Sequence, residues 1–221
     1  MVCMVLSSFW LISDPQKEDV SPGAWRTLGA TLTFQGVVVV MLCFFARRHA
    51  MNLKEAFGFN LHPGRAAVLG ITVALLFVPV ALGLQLAISK LAGILHIHLP
   101  EQNAVSLLKL AHSWPDRAAF GFMAIIAAPL AEEGLFRGVF YPVIKRLGFP
   151  NAALWITSLS FALIHGNVMI FIPLVVLAIV LVKLYEYTGN LLTCIVCHAS
   201  FNAFNFVMLF LIKDAAATTG T

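Results

Sequence analysis

Apolar segments that follow one another with little between them constrain this chain most strongly. Most of them hold about 20 residues, the length that a helix needs to cross a bilayer. Hydrophobic residues make up 60% of the 221 residues and charged residues only 11%, whereas soluble domains usually carry about 25% charged residues. The sequence therefore excludes a water-soluble globule, a disordered chain and a nucleic-acid-binding domain, and the lipid bilayer is the expected partner.

The segments predict an all-α fold, a polytopic transmembrane helix bundle of about seven spans, or eight if a surface or short helix is counted. We expect the spans at about 1–13, 26–45, 66–89, 117–146, 151–166, 168–187 and 190–212. The first is short for a full crossing. The more polar stretch from Lys90 to Arg117 suits a helix and loop at the membrane surface. Residues 1–221 are expected to form a single membrane-embedded domain.

Lysine and arginine residues in short loops predict the orientation of such a bundle. A cluster follows the second span, and basic residues also follow the fourth span and end the sixth. The cluster consists of Arg47, Arg48, Lys54 and Arg65. An alternating topology places these three regions on one side, which we expect to be cytoplasmic. The net charge of +4 therefore indicates membrane orientation rather than a polyanionic partner.

The four cysteines predict packing rather than chemistry. All lie in apolar runs, where a thiol usually packs as a small hydrophobe. Cys194, Cys197 and His198 match the c-type haem attachment pattern. That pattern needs an accessible segment, whereas these residues lie inside an apolar span.

Ionisable side chains inside three of the spans are the candidate functional residues. A charge in the middle of a membrane costs at least ~2.5–3.5 kcal/mol, so such a residue indicates function. At 1.5 Å per residue, Glu132 lies ~20 Å and His165 ~21 Å from the side of the basic loops. His198 lies ~12 Å from the same side. These depths predict that the three side chains share one layer of the bundle.

The fourth span carries an acidic pair and an arginine. Glu133 and Arg137 have the spacing and order that favour an ion pair on a helix, while Glu132 points about 100° away. One carboxylate can then be held by Arg137 while the other acts as an acid or base. The alternative is a helix end that emerges into water.

Two further spans carry the other polar residues. Phe161 and His165 lie on one helical face, and His198, Asn202 and Asn205 form a polar stripe on the last span. Taken alone, the stripe is equally compatible with interhelical hydrogen bonding, which is worth ~0.6 kcal/mol on average.

The order of these motifs resembles the CPBP or Abi family, which includes the type II CAAX prenyl endopeptidases and proteases assigned to bacteriocin processing. The resemblance covers about 117–205, and residues 117–212 are the expected catalytic core. The residues that carry it are Glu132, Glu133, Arg137, Phe161, His165, His198 and Asn202.

The resemblance implies an intramembrane peptidase that works without a cofactor. Glu132 with His165 would activate a water, and His198 with Asn202 would stabilise the oxyanion. Glu133 and Arg137 would support the helix and its electrostatics. These roles agree with what amide hydrolysis needs, a base and donors aimed at the developing oxyanion.

Three alternatives remain open. Glu132, His165 and His198 are also the ligand set of a catalytic zinc with an open fourth position. The same residues could hold helices together in a non-catalytic immunity protein or partner-binding scaffold, or line the path of a small transporter. The substrate, expected to be a membrane-anchored peptide or protein, is not specified further, and neither is the oligomeric state. A compact chain with short loops suits a prokaryotic cytoplasmic membrane.

Overall fold

The computed structural model describes residues 20–48, 52–59, 62–97 and 113–219. Every regular element within these ranges is helical. The helices are α1 (Val20–Arg48), α2 (Leu53–Ala56), α3 (Pro63–Ile94), α4 (Trp114–Phe122), α5 (Ala128–Leu135), α6 (Tyr141–Arg146), α7 (Pro150–Leu163), α8 (Val168–Thr188) and α9 (Leu191–Thr219). Two π-helices, π1 (Met123–Ala127) and π2 (Phe136–Phe140), join α4, α5 and α6 into one continuous rod. The predicted all-α class is confirmed.

Five helical segments within the described ranges are long and apolar enough to cross a membrane: Gly29–Arg48, Pro63–Ile94, Trp114–Arg146, Val168–Thr188 and Leu191–Leu211. The predicted fifth span is α7, whose 14 residues are fewer than a full crossing needs. The predicted first span lies outside the described residues. The prediction of about seven spans is consistent with this arrangement.

The predicted surface stretch from Lys90 to Arg117 is only partly described. Its beginning was predicted wrongly, because α3 continues through Lys90 to Ile94 without a break. Residues 98–112 lie outside the described ranges. The stretch ends at α4, where Ser113 accepts a hydrogen bond from the Asp116 amide and the Asp116 carboxylate accepts one from the Ser113 amide. This reciprocal cap satisfies two amides that a helix start leaves without partners.

The core lies where α3, α8 and α9 pack together and meet α7 and the continuous rod of α4, π1, α5, π2 and α6. We call this rod the acidic rod, because α5 carries Glu132 and Glu133. Leu177, Leu181, Cys194 and Cys197 are fully buried in the core, and both thiols are free. The predicted packing role of these two cysteines is confirmed. Large apolar side chains such as Phe44 and Leu76, each 68% exposed, face outward, as expected of helices that contact lipid.

The turns after α2 and α8 contact each other at one end of the bundle. The amide of Leu191 donates a hydrogen bond to the carbonyl of Phe57 (2.9 Å). Gly58, with a φ of 71°, lies so close to the carbonyl of Gly189 that a Cβ atom would be 2.0 Å from its oxygen. Glu186 near the end of α8 binds Lys145 of α6 (2.6 Å). The three regions predicted to share one side therefore lie at the same end of the molecule.

Candidate active site

The acidic pair lies in the middle of the rod, on the eight-residue helix α5. The side chain of Glu133 is 0% exposed and that of Glu132 is 4% exposed, so both carboxylates are interior groups rather than part of a helix end in water. Pro129 lies in the first turn of α5, directly after π1, where its missing N–H breaks the regular bonding pattern. The π-helices that flank α5 are a feature often found at functional sites.

Arg137 holds one of the two carboxylates. Its Nη1 atom lies 2.9 Å from Oε1 of Glu133, and Nη2 donates to the carbonyl of Ala178 on α8 (3.1 Å). The guanidinium also lies 4.8 Å from the ring centre of Phe161. The ion pair predicted from the i, i+4 spacing is therefore present, and Arg137 ties the rod to α7 and α8.

His198 on α9 lies between the two carboxylates. Its Nδ1 atom is 2.9 Å from Oε1 of Glu133, and its Nε2 atom is 4.0 Å from Oε2 of Glu132. Because a carboxylate held by Arg137 accepts hydrogen bonds only, we assign the proton of a neutral imidazole to Nδ1. The Nε2 atom that faces Glu132 then carries a lone pair.

His165 follows the end of α7, in the turn before α8. Its Nδ1 atom lies 2.6 Å from the carbonyl oxygen of Phe161, which places the proton of the neutral ring on Nδ1 and leaves Nε2 as an acceptor. In both candidate histidines Nδ1 therefore makes the supporting hydrogen bond, and Nε2 is left as an acceptor for catalysis.

Phe161 packs at the centre of the group. Its fully buried ring lies 4.9 Å from the ring of His165 and 5.7 Å from that of His198, measured between ring centres. Together with its contact to Arg137, these contacts fix the positions of both imidazoles. A packing residue of this kind keeps catalytic groups in one geometry.

The polar stripe of α9 divides between the site and the helix packing. Asn202 donates from Nδ2 to the carbonyl of Ala124 in π1 (2.8 Å), and Asn205 donates to the carbonyl of Phe201 in its own helix. His198 is the stripe member that contacts the acids. The structure therefore brings Glu132, Glu133, Arg137, Phe161, His165 and His198 together and places the hydrogen bond of Asn202 on π1.

No group of three His, Cys, Asp or Glu side chains in the described part of the chain is arranged to hold a metal ion. The conditional zinc set of Glu132, His165 and His198 is thus not preformed. Each of the two imidazoles has the supporting hydrogen bond on Nδ1 that metal-binding histidines usually have, but a water-activating histidine uses the same support.

An apolar groove of about 330 Å³ borders the group between the rod and α7. Its floor includes Phe136, whose ring contacts Phe161, and Ile164, which precedes His165. The full lining consists of Leu135, Phe136, Phe140, Ile144, Ile156, Thr157, Ser160 and Ile164. Apolar surface therefore adjoins the polar group on the side of α7.

Two features were missed by the sequence analysis. The π-helices have no signature in the sequence that would separate them from regular helix. Gln35, a buried amide on α1, could have been identified from the sequence, because it is a polar residue in the middle of an apolar span.

A family model matches the part of the chain that contains the rod and its partners. Residues 113–204 match the family described as type II CAAX prenyl endopeptidase Rce1-like. This part of the chain is therefore similar to that family. All seven residues on which the predicted resemblance depends lie within the matched segment. No curated protein and no solved structure matches the chain.

Proposed function

We propose that this protein is an intramembrane endopeptidase that cleaves a membrane-associated protein or peptide precursor near its terminus. The observation that carries the proposal is the position of His198 between Glu132 and the Glu133 carboxylate that Arg137 binds. The rings of His165 and His198 both pack against Phe161, which holds the two histidines in one group. The adjoining apolar groove supports a substrate that is itself apolar or lipid-anchored. We expect the enzyme to reside in a prokaryotic cytoplasmic membrane.

In this mechanism Glu132 and Glu133 have different roles. Glu133 accepts hydrogen bonds from Arg137 and His198, whereas Glu132 serves as the base. The 4.0 Å between Oε2 of Glu132 and Nε2 of His198 exceeds a hydrogen bond but allows one oxygen atom at ~2.8 Å from both. That position suits a water, which can donate one hydrogen bond to each of the two acceptors.

Hydrolysis then follows the usual course of general base catalysis. Glu132, assisted by His165, takes a proton from water as the water oxygen bonds to the scissile carbonyl carbon. The carbonyl oxygen becomes an oxyanion, which the second N–H of the Asn202 amide stabilises. His198 adds a donor to it only in the form that carries a proton on Nε2 as well as on Nδ1. The C–N bond breaks as Glu132 returns the proton to the leaving amine.

Replacing the base tests this assignment. We expect Glu132→Gln and His165→Ala to lower kcat by about 10²–10⁴-fold, the usual contribution of a general base, while Glu55→Gln, a change at an exposed glutamate, retains full activity. The assay follows cleavage of an internally quenched peptide with a farnesylated CAAX terminus by the purified protein in proteoliposomes. Full cleavage by a folded Glu132→Gln variant would contradict the mechanism.

The same assay separates the metal-free mechanism from a zinc-dependent one. We expect cleavage to be unchanged after treatment with 1,10-phenanthroline, and the purified protein to contain much less than one zinc per chain. Loss of activity that added zinc restores would instead identify Glu132, His165 and His198 as metal ligands.

The hydrogen bond from Asn202 to π1 favours one further candidate, a partner-binding scaffold in which polar residues hold the helices together. A scaffold would bind the farnesylated peptide without cutting it, and its binding would survive Glu132→Gln and His165→Ala together.

A further inference from the structure

Gln35 is a buried amide that the proposed chemistry does not use. The residue is 4% exposed, and within the described part of the chain neither its Nε2 nor its Oε1 atom has a hydrogen-bond partner. A buried polar group without a partner destabilises a protein, and native structures contain few of them. An arrangement of this kind is expected where the partner is a ligand.

The face of α1 that carries Gln35 packs on the acidic rod. Leu42 lies two helical turns after Gln35 on the same face of α1. It packs against Gly134 so closely that a Cβ atom on Gly134 would be 2.6 Å from Cδ1 of Leu42. Leu32, one turn before Gln35, packs against Phe120 and Met123. Gln35 therefore lies between these contacts, beside π1 and the beginning of α5.

Helix α9 approaches the same stretch of the rod. Phe206 packs against Phe120 and Met123, the residues that Leu32 also contacts. One turn further along, Asn202 donates to the carbonyl of Ala124. Gln35 lies one turn from Leu32 in the same direction along the rod, toward Glu132. The amides of Gln35 and Asn202 thus lie at about the same level, beside π1 and about two helical turns before the acidic pair.

We infer that Gln35 binds the main chain of the substrate within a few residues of the scissile bond. An extended peptide inside an apolar bundle has N–H and C=O groups that lack water, and one carboxamide offers both a donor and an acceptor to them. Gln35 is then a positioning residue. This inference rests on the proposed peptidase function.

Kinetics and stability together test it on the full-length protein with the quenched farnesylated peptide. We expect Gln35→Met to raise KM about 3- to 10-fold, the value of one hydrogen bond, with kcat changed less than twofold. Its Tm should equal or exceed that of the wild type, because an unpaired buried amide has been removed. Gln85→Met, at a half-buried glutamine of α3, is the matched control and should change neither KM nor kcat.

Peptides in which one amide near the scissile bond is replaced by an ester locate the contact. One ester position should raise KM for the wild type and leave the KM of Gln35→Met unchanged. The inference is overturned if Gln35→Met keeps the wild-type KM, if its Tm falls, or if every ester affects both proteins equally. Absence of cleavage by the wild type would refute the peptidase function itself, a result that Gln35 variants alone cannot produce.

Discussion

Arg137 is the largest fully buried side chain in the described structure. It forms a buried ion pair with Glu133 and reaches the backbone of α8. Taking a guanidinium and a carboxylate out of water is expensive, and a buried pair is close to neutral in stability only while both members are present. Removing one member leaves an uncompensated charge at the centre of the bundle.

Substitutions of this pair should therefore be strongly non-additive. We expect Arg137→Met or Glu133→Gln alone to destabilise the protein by about 3–5 kcal/mol, and the double variant to recover part of that loss. Lys183→Met removes an exposed partner of Glu186 and should cost less than about 1 kcal/mol. Thermal unfolding in detergent measures all four variants. Additive losses in the double variant would show that Arg137 and Glu133 act independently.

At the scale of single contacts, the sequence predicted those between residues that are close together in the chain, because their spacing on a helix determines them. The Glu133–Arg137 pair follows from i, i+4 geometry on one helix. The contact between His198 and Glu133 joins residues 65 positions apart, and depth estimates place the two side chains only in a shared layer. They cannot tell which carboxylate His198 contacts, and they predicted no specific partner for Asn202.

Among the elements, α3 and α9 form the most extensive contact, and a glycine makes it possible. A Cβ atom on Gly70 would lie 2.7 Å from the backbone oxygen of Thr193 and 3.0 Å from the backbone nitrogen of Cys197. Backbone atoms cannot move aside as the tip of a side chain can. The close approach of α3 fixes the part of α9 that carries His198.

We expect Gly70→Ala to push α3 away from α9, lowering both Tm and peptidase activity. Gly83→Ala on the same helix has open space around its new methyl group and should change stability by no more than about 1 kcal/mol, in the direction of higher helix propensity. Tm and kcat of the two purified variants provide the comparison. Equal effects of the two substitutions would mean that the Gly70 contact does not control the site.

For the whole molecule, the order of the helices follows from the lengths of apolar runs, because the bilayer thickness sets the length of a spanning helix. The short α7 and the extension of α3 to Ile94 depend on packing and capping, which length does not encode. The gathering of basic regions at one end was predictable from alternating topology, and the contacts among Phe57, Gly189 and Glu186 agree with it.

Labelling of single cysteines tests the predicted orientation. In a variant without its four native cysteines, we expect Trp114→Cys, at the exposed start of α4, to react with a membrane-impermeant maleimide in intact cells. Lys54→Cys, near the opposite end, should react only after lysis, because the positive-inside rule places it in the cytoplasm. The reverse pattern would invert the orientation, and equal labelling of both would refute the bundle topology.

Each π-helix stores one residue more than the α-helical turn that it replaces. Deleting a residue from 123–127 or from 136–140 can therefore restore an ordinary turn instead of disrupting the helix. Glu132 and Glu133 lie between the two π-helices, so the chain can lose one residue from either π-helix while the two glutamates keep their contacts. Length variation in relatives should consequently concentrate in these two turns.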